Sequence, residues 1–387
     1  MAKSRTQLGP DPGLVARIAE SRDWQSLLRQ FVECESPSHD KVLVDQFGQM
    51  VATEFERLGG AVCFYPQQDF GGILQVDFIT GSRKKPLLLL GHLDTVYEAG
   101  TLAKMPCRVA DGKMYGPGVF DMKGGIVMML LAIAALQEEN GSLPRPLTVL
   151  LNPDEEIGSK VSRKITERLA KKSQAVLVLE PSAGPKGACK TARKGVGDYL
   201  VRVKGISAHA GLDFDKGANA ITELARQLIR IAALTDRKRG TTLNPGIIRG
   251  GTRTNVVPEF AEAEVDIRVT SQKEADRLER RMHALKPRDR RCKLEISGGM
   301  NRAPFERTKA VVVLYEHARK IATEMGFALF ETAVGGGSDG NFTAGLGIPT
   351  LDGLGAVGEG AHAIHESVVL DEIPRRAALL ARLIKTL

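Results

Sequence analysis

The chain has 387 residues, 43% apolar and 26% charged, a composition that excludes a disordered protein and is long enough that two domains are expected. Its net charge of +8 accompanies no compact basic and aromatic patch, which argues against a nucleic-acid partner. The N-terminus lacks the apolar segment of a signal peptide and no apolar stretch reads as long enough to span a bilayer, so no membrane association is expected.

Residues 14–58 read as helices around a turn at Ser36, Pro37 and Ser38. Strand-like apolar runs follow at 61–65, 73–78 and 86–90, then a helix at 123–139, a strand at 147–151, a helix at 162–172 and a strand at 175–179. Strands alternating with helices predict an α/β layered domain with a largely parallel sheet. The texture changes near Gly195: strands at 198–203, 244–249, 260–270 and 292–297 enclose helices at 217–234 and 271–285. That β-α-β-β-α-β order is the ferredoxin-like pattern. Helical 308–325 and strand-like 349–351 then restore the α/β texture. The economical reading is one domain of residues 1–195 and 303–387, interrupted by an α+β lid of residues 196–302. The densest basic stretch, 277–293, reads as the solvated face of a helix and the strand after it. Five widely spaced cysteines without a Cys-x-x-Cys suit a reducing compartment, so the cytoplasm is expected.

The chemistry concentrates where strands end. Asp154, Glu155 and Glu156 directly follow the run at 147–151, and three adjacent carboxylates repel unless a cation or shared proton offsets them. His92 follows the strand at 86–90, and Asp94, two residues on, shares its face in an extended chain and is placed to accept from the imidazole. Asp121 lies among Gly116, Gly118, Gly124 and Gly125 just before a helix, where it would otherwise be a simple N-cap. Glu180 ends the strand at 175–179, and His362 and His365 lie beyond the last strand. His92, Glu155, Glu156 and Glu180 all fall just after strand runs, where open parallel sheets place their ligands. Two histidines with several carboxylates suit a pair of borderline metals, zinc first and manganese or cobalt next.

This ordered set (His92-x-Asp94, Asp121 before Lys123-Gly124-Gly125, Asp154-Glu155-Glu156, Glu180-Pro181 and the late histidine) resembles the co-catalytic zinc amidohydrolases over nearly the whole chain. That family includes glutamate carboxypeptidase, acetylornithine deacetylase, succinyl-diaminopimelate desuccinylase and aminoacylase, and glutamate carboxypeptidase looks nearest. The resemblance implies a zinc-exopeptidase-like αβα catalytic domain and a lid that also makes a homodimer. It implies two Zn2+ bridged by Asp121, with His92 and Glu180 completing one site and Glu156 and His362 the other. Glu155 would be the general base, and Asp94 would orient His92. A glutamate four residues after the last ligand, here Glu366, favours His362 over His365.

The same resemblance assigns His209 to the transition-state oxyanion, reaching a neighbouring subunit's site, and Asn255 to a polar contact. It places Arg302, with Arg268 close behind, on the free carboxylate of a small peptide or N-acyl amino acid, since a guanidinium forks onto a carboxylate. Gly337, in the run Gly335-Gly336-Gly337-Ser338, would line the substrate cleft. One departure concerns the lysine that reads glutamate: ungapped counting reaches Ala188, flanked by Lys186 and Lys190. The expected activity is therefore release of a C-terminal amino acid, with N-acyl-amino-acid deacylation as the alternative.

Overall fold

In the computed structural model, which describes residues 13–21 and 23–387, the apolar runs Leu87–His92 and Leu147–Asn152 lie side by side as parallel strands, buried from end to end. Burial on both faces is why they read as continuous apolar segments rather than alternating ones. They form the middle of a six-stranded mixed sheet whose order is Ala61–Tyr65, Ile73–Phe78, Leu147–Asn152, Leu87–His92, Ala175–Val178 and Thr350–Leu351. Ile73–Phe78 runs antiparallel to both of its neighbours, Ala61–Tyr65 and Leu147–Asn152, and the remaining neighbours are parallel.

Side chains alternate between two cores, as the pleat requires. Leu87, Leu89, Val149 and Leu151 face a large cluster with the helices Lys41–Arg57, Gly124–Asn140, Lys309–Glu324 and Glu372–Thr386. Leu88, Leu90, Leu150 and Val176 face a smaller cluster that includes Leu169 and Ala170 of the helix Arg163–Lys172. The result is an αβα layering, and the helices expected before residue 180 form close to their expected limits.

One sequence reading needs correction. The segment Val119–Asn140 is long and apolar enough to cross a membrane, contrary to the reading that no stretch is. Its most apolar window is 94% buried, and the all-round apolar character that mimics a membrane span reflects burial in the core. Gly125 is required at its start: a Cβ there would stand 2.2 Å from the carbonyl oxygen of Leu179.

Two compact units partition the chain, one comprising residues up to Thr191 with Arg307–Ala333 and Ser338–Leu387, the other Ala192–Glu306 with Val334–Gly337. The second unit contains a four-stranded antiparallel sheet in the order Thr242–Gly250, Phe260–Val269, Gly195–Lys204 and Lys293–Arg302. Helices Ala220–Ala232 and Gln272–His283 pack on it, burying Leu224, Ile231, Leu278 and Met282 against Tyr199, Val201, Val203 and Val265. Its chain order is β-α-β-β-α-β. The last strand extends to Arg302, so that arginine belongs to the sheet rather than to a connecting turn.

A further small sheet in the first unit lacks any clear signal in the sequence. Strands Gly358–Glu359, Ser367–Val369, Lys113–Tyr115 and Arg108–Ala110 pair in that order, with Ser367 opposite Tyr115. They tie the loop around His362 to the loop that carries Asp121.

Candidate metal centre

Parallel pairing sets His92 opposite Asn152, so the chain leaves neighbouring strands at the same edge of the sheet. His92 closes its strand, Glu155 and Glu156 form a short 3-10 turn three residues beyond Asn152, and Glu180 follows the strand Ala175–Val178. Asp121 arrives from a loop that opens with Gly118 at φ +70, and His362 sits in a loop with its own φ at +64. A Cβ on Gly118 would also meet Thr95 at 2.6 Å.

These side chains converge. His92 Nε2 lies 3.0 Å from Asp121 Oδ1 and 3.3 Å from Glu180 Oε1. His362 Nε2 lies 3.4 Å from Asp121 Oδ2 and 3.3 Å from Glu156 Oε2. Two donor groups result, His92 with Asp121 and Glu180, and Asp121 with Glu156 and His362, each with ligand atoms within 4.8 Å of one another. Asp121 offers one oxygen to each. His365 is exposed and belongs to neither group.

Electrostatics explains what such a cluster lacks. Two carboxylates about 5 Å apart repel by about 3 kcal/mol at an effective dielectric near 20, so three buried together require positive charge. The imidazoles of His92 and His362, each beside Asp121, can carry it as protons or pass the task to a cation. Burial opposes a charge on His92, but the carboxylates of Asp121, Asp94 and Glu180 outweigh it and raise the ring's pKa well above the usual value. Asp121 and Glu156 push His362 up to about 10. Burial would raise the Asp121 carboxyl, yet the two imidazoles hold it well below the usual range. Burial pushes Glu156 up to about 7 despite His362. Glu156 Oε1 is buried with no hydrogen-bond partner among the described residues, a lone pair that suits a cation. Nitrogen and carboxylate donors in this number fit two borderline divalent metals.

The supporting bonds differ from the sequence reading in one respect. His92 Nδ1 is 2.9 Å from the main-chain oxygen of Asp94, while the Asp94 carboxylate stands 3.5 Å away. That carboxylate instead accepts from the amides of Glu155 and Glu156, at 3.1 and 3.2 Å, and from Ser38 Oγ at 2.7 Å. Asp94 therefore holds the turn bearing both glutamates.

Glu366 has a larger role than its spacing foretold. It is buried and accepts from the amides of Phe120 (2.8 Å), Asp121 (2.9 Å) and Gly118 (3.2 Å), and from Tyr97 Oη at 2.5 Å. Tyr97 was not foreseen at all. Beside it a cavity of about 220 Å³, walled by Val96, Tyr97 and Ile157, opens next to Glu156. Of the two lysines flanking Ala188, Lys190 is the one whose charge reaches Asp121, whereas the Lys186 ammonium lies 5.2 Å from the Phe330 ring.

The remaining expected residues lie in the second unit. His209 is exposed, and its Nδ1 accepts from the amides of Gly211 and Leu212, both at 3.1 Å, which leaves Nε2 as the donor of the neutral ring. The Asn255 carbonyl accepts from the amide of Ala210 at 2.9 Å. Arg268 pairs with Asp266, on the same face of its strand, at 2.8 Å. Arg302 is buried at its strand's end, and the Gly337 carbonyl accepts from Arg193 at 3.1 Å.

Residues 88–386 match the description of Peptidase family M20/M25/M40. The chain belongs to that family. It is 32% identical over 370 residues to carboxypeptidase G2 of Pseudomonas sp. (strain RS-16), covering 93% of this chain and 88% of that protein. Over 330 residues it is 27% identical to succinyl-diaminopimelate desuccinylase of Dechloromonas aromatica (strain RCB), covering 79% and 85%. Its fold matches aminopeptidase PepT of Bacillus cereus ATCC 10987 with a TM-score of 0.78 at 22% identity, covering 94% and 97%. As a member of this M20-type family the chain is a metal-dependent hydrolase of the peptidase and amidohydrolase class.

Proposed function

We propose that the chain is a two-metal hydrolase that cleaves an amide bond and releases a C-terminal amino acid, in the manner of a glutamate carboxypeptidase. The observation that carries this reading is Asp121, whose two oxygens face two different imidazoles, each with a further carboxylate beside it. His92 and Glu180 then complete one site and Glu156 and His362 the other, for zinc first and manganese or cobalt next. Ions held by these residues would supply Lewis-acid polarisation of the scissile carbonyl and a lowered pKa for nearby water. Glu155, adjacent to a ligand yet outside both donor groups, takes the water's proton and delivers it to the leaving amine. Asp94, through the amides of Glu155 and Glu156, fixes where that base stands.

His209, whose Nδ1 is occupied so that Nε2 is left for a ligand, is assigned as donor to the tetrahedral oxyanion, a contact worth about 3 kcal/mol to a transition state. The substrate is a small peptide or N-acyl amino acid whose free carboxylate meets Arg302, with Arg268, Asn255 and Gly337 as further contacts. Lys190 is the better placed lysine for an acidic side chain. A homodimer through the second unit is supported by its edge strand Thr242–Gly250, with Ile247 and Ile248 exposed, and by exposed Ile229 on the neighbouring helix. Five free cysteines accord with the cytoplasm. Ala188, where a glutamate-reading lysine is expected, favours a second reading, deacylation of N-acyl amino acids.

Hydrolysis of peptides and aryl conjugates ending in glutamate, measured against N-acetyl and N-succinyl amino acids, decides between them. Higher kcat/KM on the glutamate conjugates is expected, and a preference for N-acyl amino acids would replace the first reading with the second. Glu155→Gln serves as the mechanistic control. It should retain both metals while turnover falls by about 10²- to 10⁴-fold.

A further inference from the structure

The helices Ala220–Ala232 and Gln272–His283 of the second unit leave a groove between the end of the first and the face of the second. The cavity, about 640 Å³, is lined by Arg230, Arg277, Arg280 and Arg281. Leu234 and Leu285 also line it and pack against the unit's core beneath, so they form an apolar floor. A second cavity of about 320 Å³ shares Leu234, Arg277 and Arg281 and adds Arg237 and Lys238 from the turn Arg237–Arg239.

The charge here is one-sided. Arg277, Arg280, Arg281 and Ala284 follow the i, i+3, i+4, i+7 spacing of one helix face, and like charges at that spacing destabilise a helix. Arg277 is held by Glu274 at 2.8 Å, and Arg230 donates to the Lys286 carbonyl at 3.0 Å. Arg237, Lys238, Arg280 and Arg281 have no acidic partner among the described residues, and Asp236, the carboxylate of the lining, pairs with Arg239. A solvated helix face needs neither a concave apolar floor nor a second basic wall from another element. Both are present.

We propose that this groove binds a small phosphate-bearing ligand with a flat apolar body, the chemistry of a nucleoside di- or triphosphate. Guanidinium forks match phosphate oxygens in paired hydrogen bonds, and several of them around one concavity reinforce each other's field. Leu234 and Leu285 supply the surface on which a base lies. The cavity's volume is that of a small-molecule site. An extended nucleic acid would instead call for a long track with exposed aromatic rings, and the lining has none.

The test is calorimetric titration of the metal-loaded full chain with ADP, pyrophosphate and adenosine at about 0.15 M salt, where exposed charges are screened beyond about 8 Å. ADP is expected to bind more tightly than pyrophosphate, more weakly as salt rises, and adenosine not to bind. Arg280→Glu with Arg281→Glu should weaken ADP by about tenfold or more, a shift of about 1.4 kcal/mol, and leave amide hydrolysis unchanged. Arg237→Glu with Lys238→Glu, on the opposite wall, should weaken it too. Absence of ADP binding at millimolar concentration overturns the proposal. Undiminished affinity in both double variants overturns it as well, because the anion then sits elsewhere, the metal centre included. Pyrophosphate binding as tightly as ADP removes the base from the floor and overturns the assignment of ligand class.

Discussion

The candidate ligands fall into two halves that are held by different means. His92, Glu156 and Glu180 leave the edge of one sheet, and their side chains are 1%, 7% and 9% exposed. Asp121 and His362 come from loops, are 14% and 50% exposed, and depend on unusual backbone and on Glu366. A parallel sheet aligns strand ends as a consequence of forming at all, so ligands placed there need little further support. A loop ligand needs a dedicated polar clamp. Here one carboxylate takes three amides of the Asp121 loop and lies four residues from His362.

The largest expected effect tests whether Asp121 joins the halves. Asp121→Asn should lose both metals and essentially all activity, because a neutral amide replaces the shared anion. Glu156→Ala should lose one metal and keep the other. Metal content per chain, measured after dialysis against a weak chelator, reads the difference. Equal stoichiometry in the two variants would show that Asp121 serves one site alone.

Glu366→Gln strikes the loop half without touching a ligand. The amide keeps one acceptor oxygen but turns an NH2 toward amides that need an acceptor, so the Gly118–Asp121 segment loosens. Supports of this kind typically alter metal affinity by about 10- to 100-fold. The loss should fall on both ions, because Asp121 offers an oxygen to each donor group. A variant that is merely less heat-stable, with both affinities intact, would make Glu366 a structural residue only.

The proton and the metal compete for the same imidazoles, which sets the pH dependence. In the metal-free chain His362 is held protonated up to about 10, above its usual value of 6.5. A raised histidine stabilises the fold fully below pH 6.5, and that contribution fades as pH rises through 10. Its half-exposed position makes the contribution small. Metal binding must expel the proton, so apparent zinc affinity should rise by about tenfold per pH unit for each imidazole deprotonated, between pH 6.5 and 10. Chelator competition across that window measures the slope. A flat profile would mean that no imidazole proton leaves, and the histidines would lose their place as ligands.

The division between halves also marks what the sequence made legible. His92, Glu155, Glu156 and Glu180 stood out because an apolar run that ends in a charged residue is visible locally, and period and burial are local properties. The β-α-β-β-α-β order of the second unit was legible for the same reason. The clamp was not: Tyr97 and Glu366 are 269 residues apart, and Glu366 adjoins a sheet whose strands are two or three residues long. Strands that short carry no periodicity. Asp94 showed a subtler limit, since its spacing from His92 pointed to the carboxylate while the main-chain oxygen makes the shorter contact. Arg268 is paired with Asp266, two residues away on the same strand face, a neighbour that extended-chain spacing places within reach. Arg277, Arg280 and Arg281 read as a solvated face because the groove they line is completed by Arg230 and Leu234, distant in sequence.

Tyr97→Phe gives the smallest effect and the finest test of the comparison. The phenol donates to Glu366 Oε2 at 2.5 Å and lies 3.0 Å from the Ala363 carbonyl, so it joins the loop of His362 to the clamp on the loop of Asp121. Burial, followed by the Glu366 carboxylate, raises its pKa, so the phenol stays a donor across the working pH range. Removing the hydroxyl leaves Glu366 with its three amides and takes away one bond worth about 1 kcal/mol net, or about fivefold in affinity. That fivefold should appear at the metal beside His362 and leave the one beside Glu180 unchanged, because no loop joined by Tyr97 carries Glu180. Equal weakening of both would mean that the hydroxyl supports Asp121 rather than His362. The loop half would then hang on a single ligand instead of two.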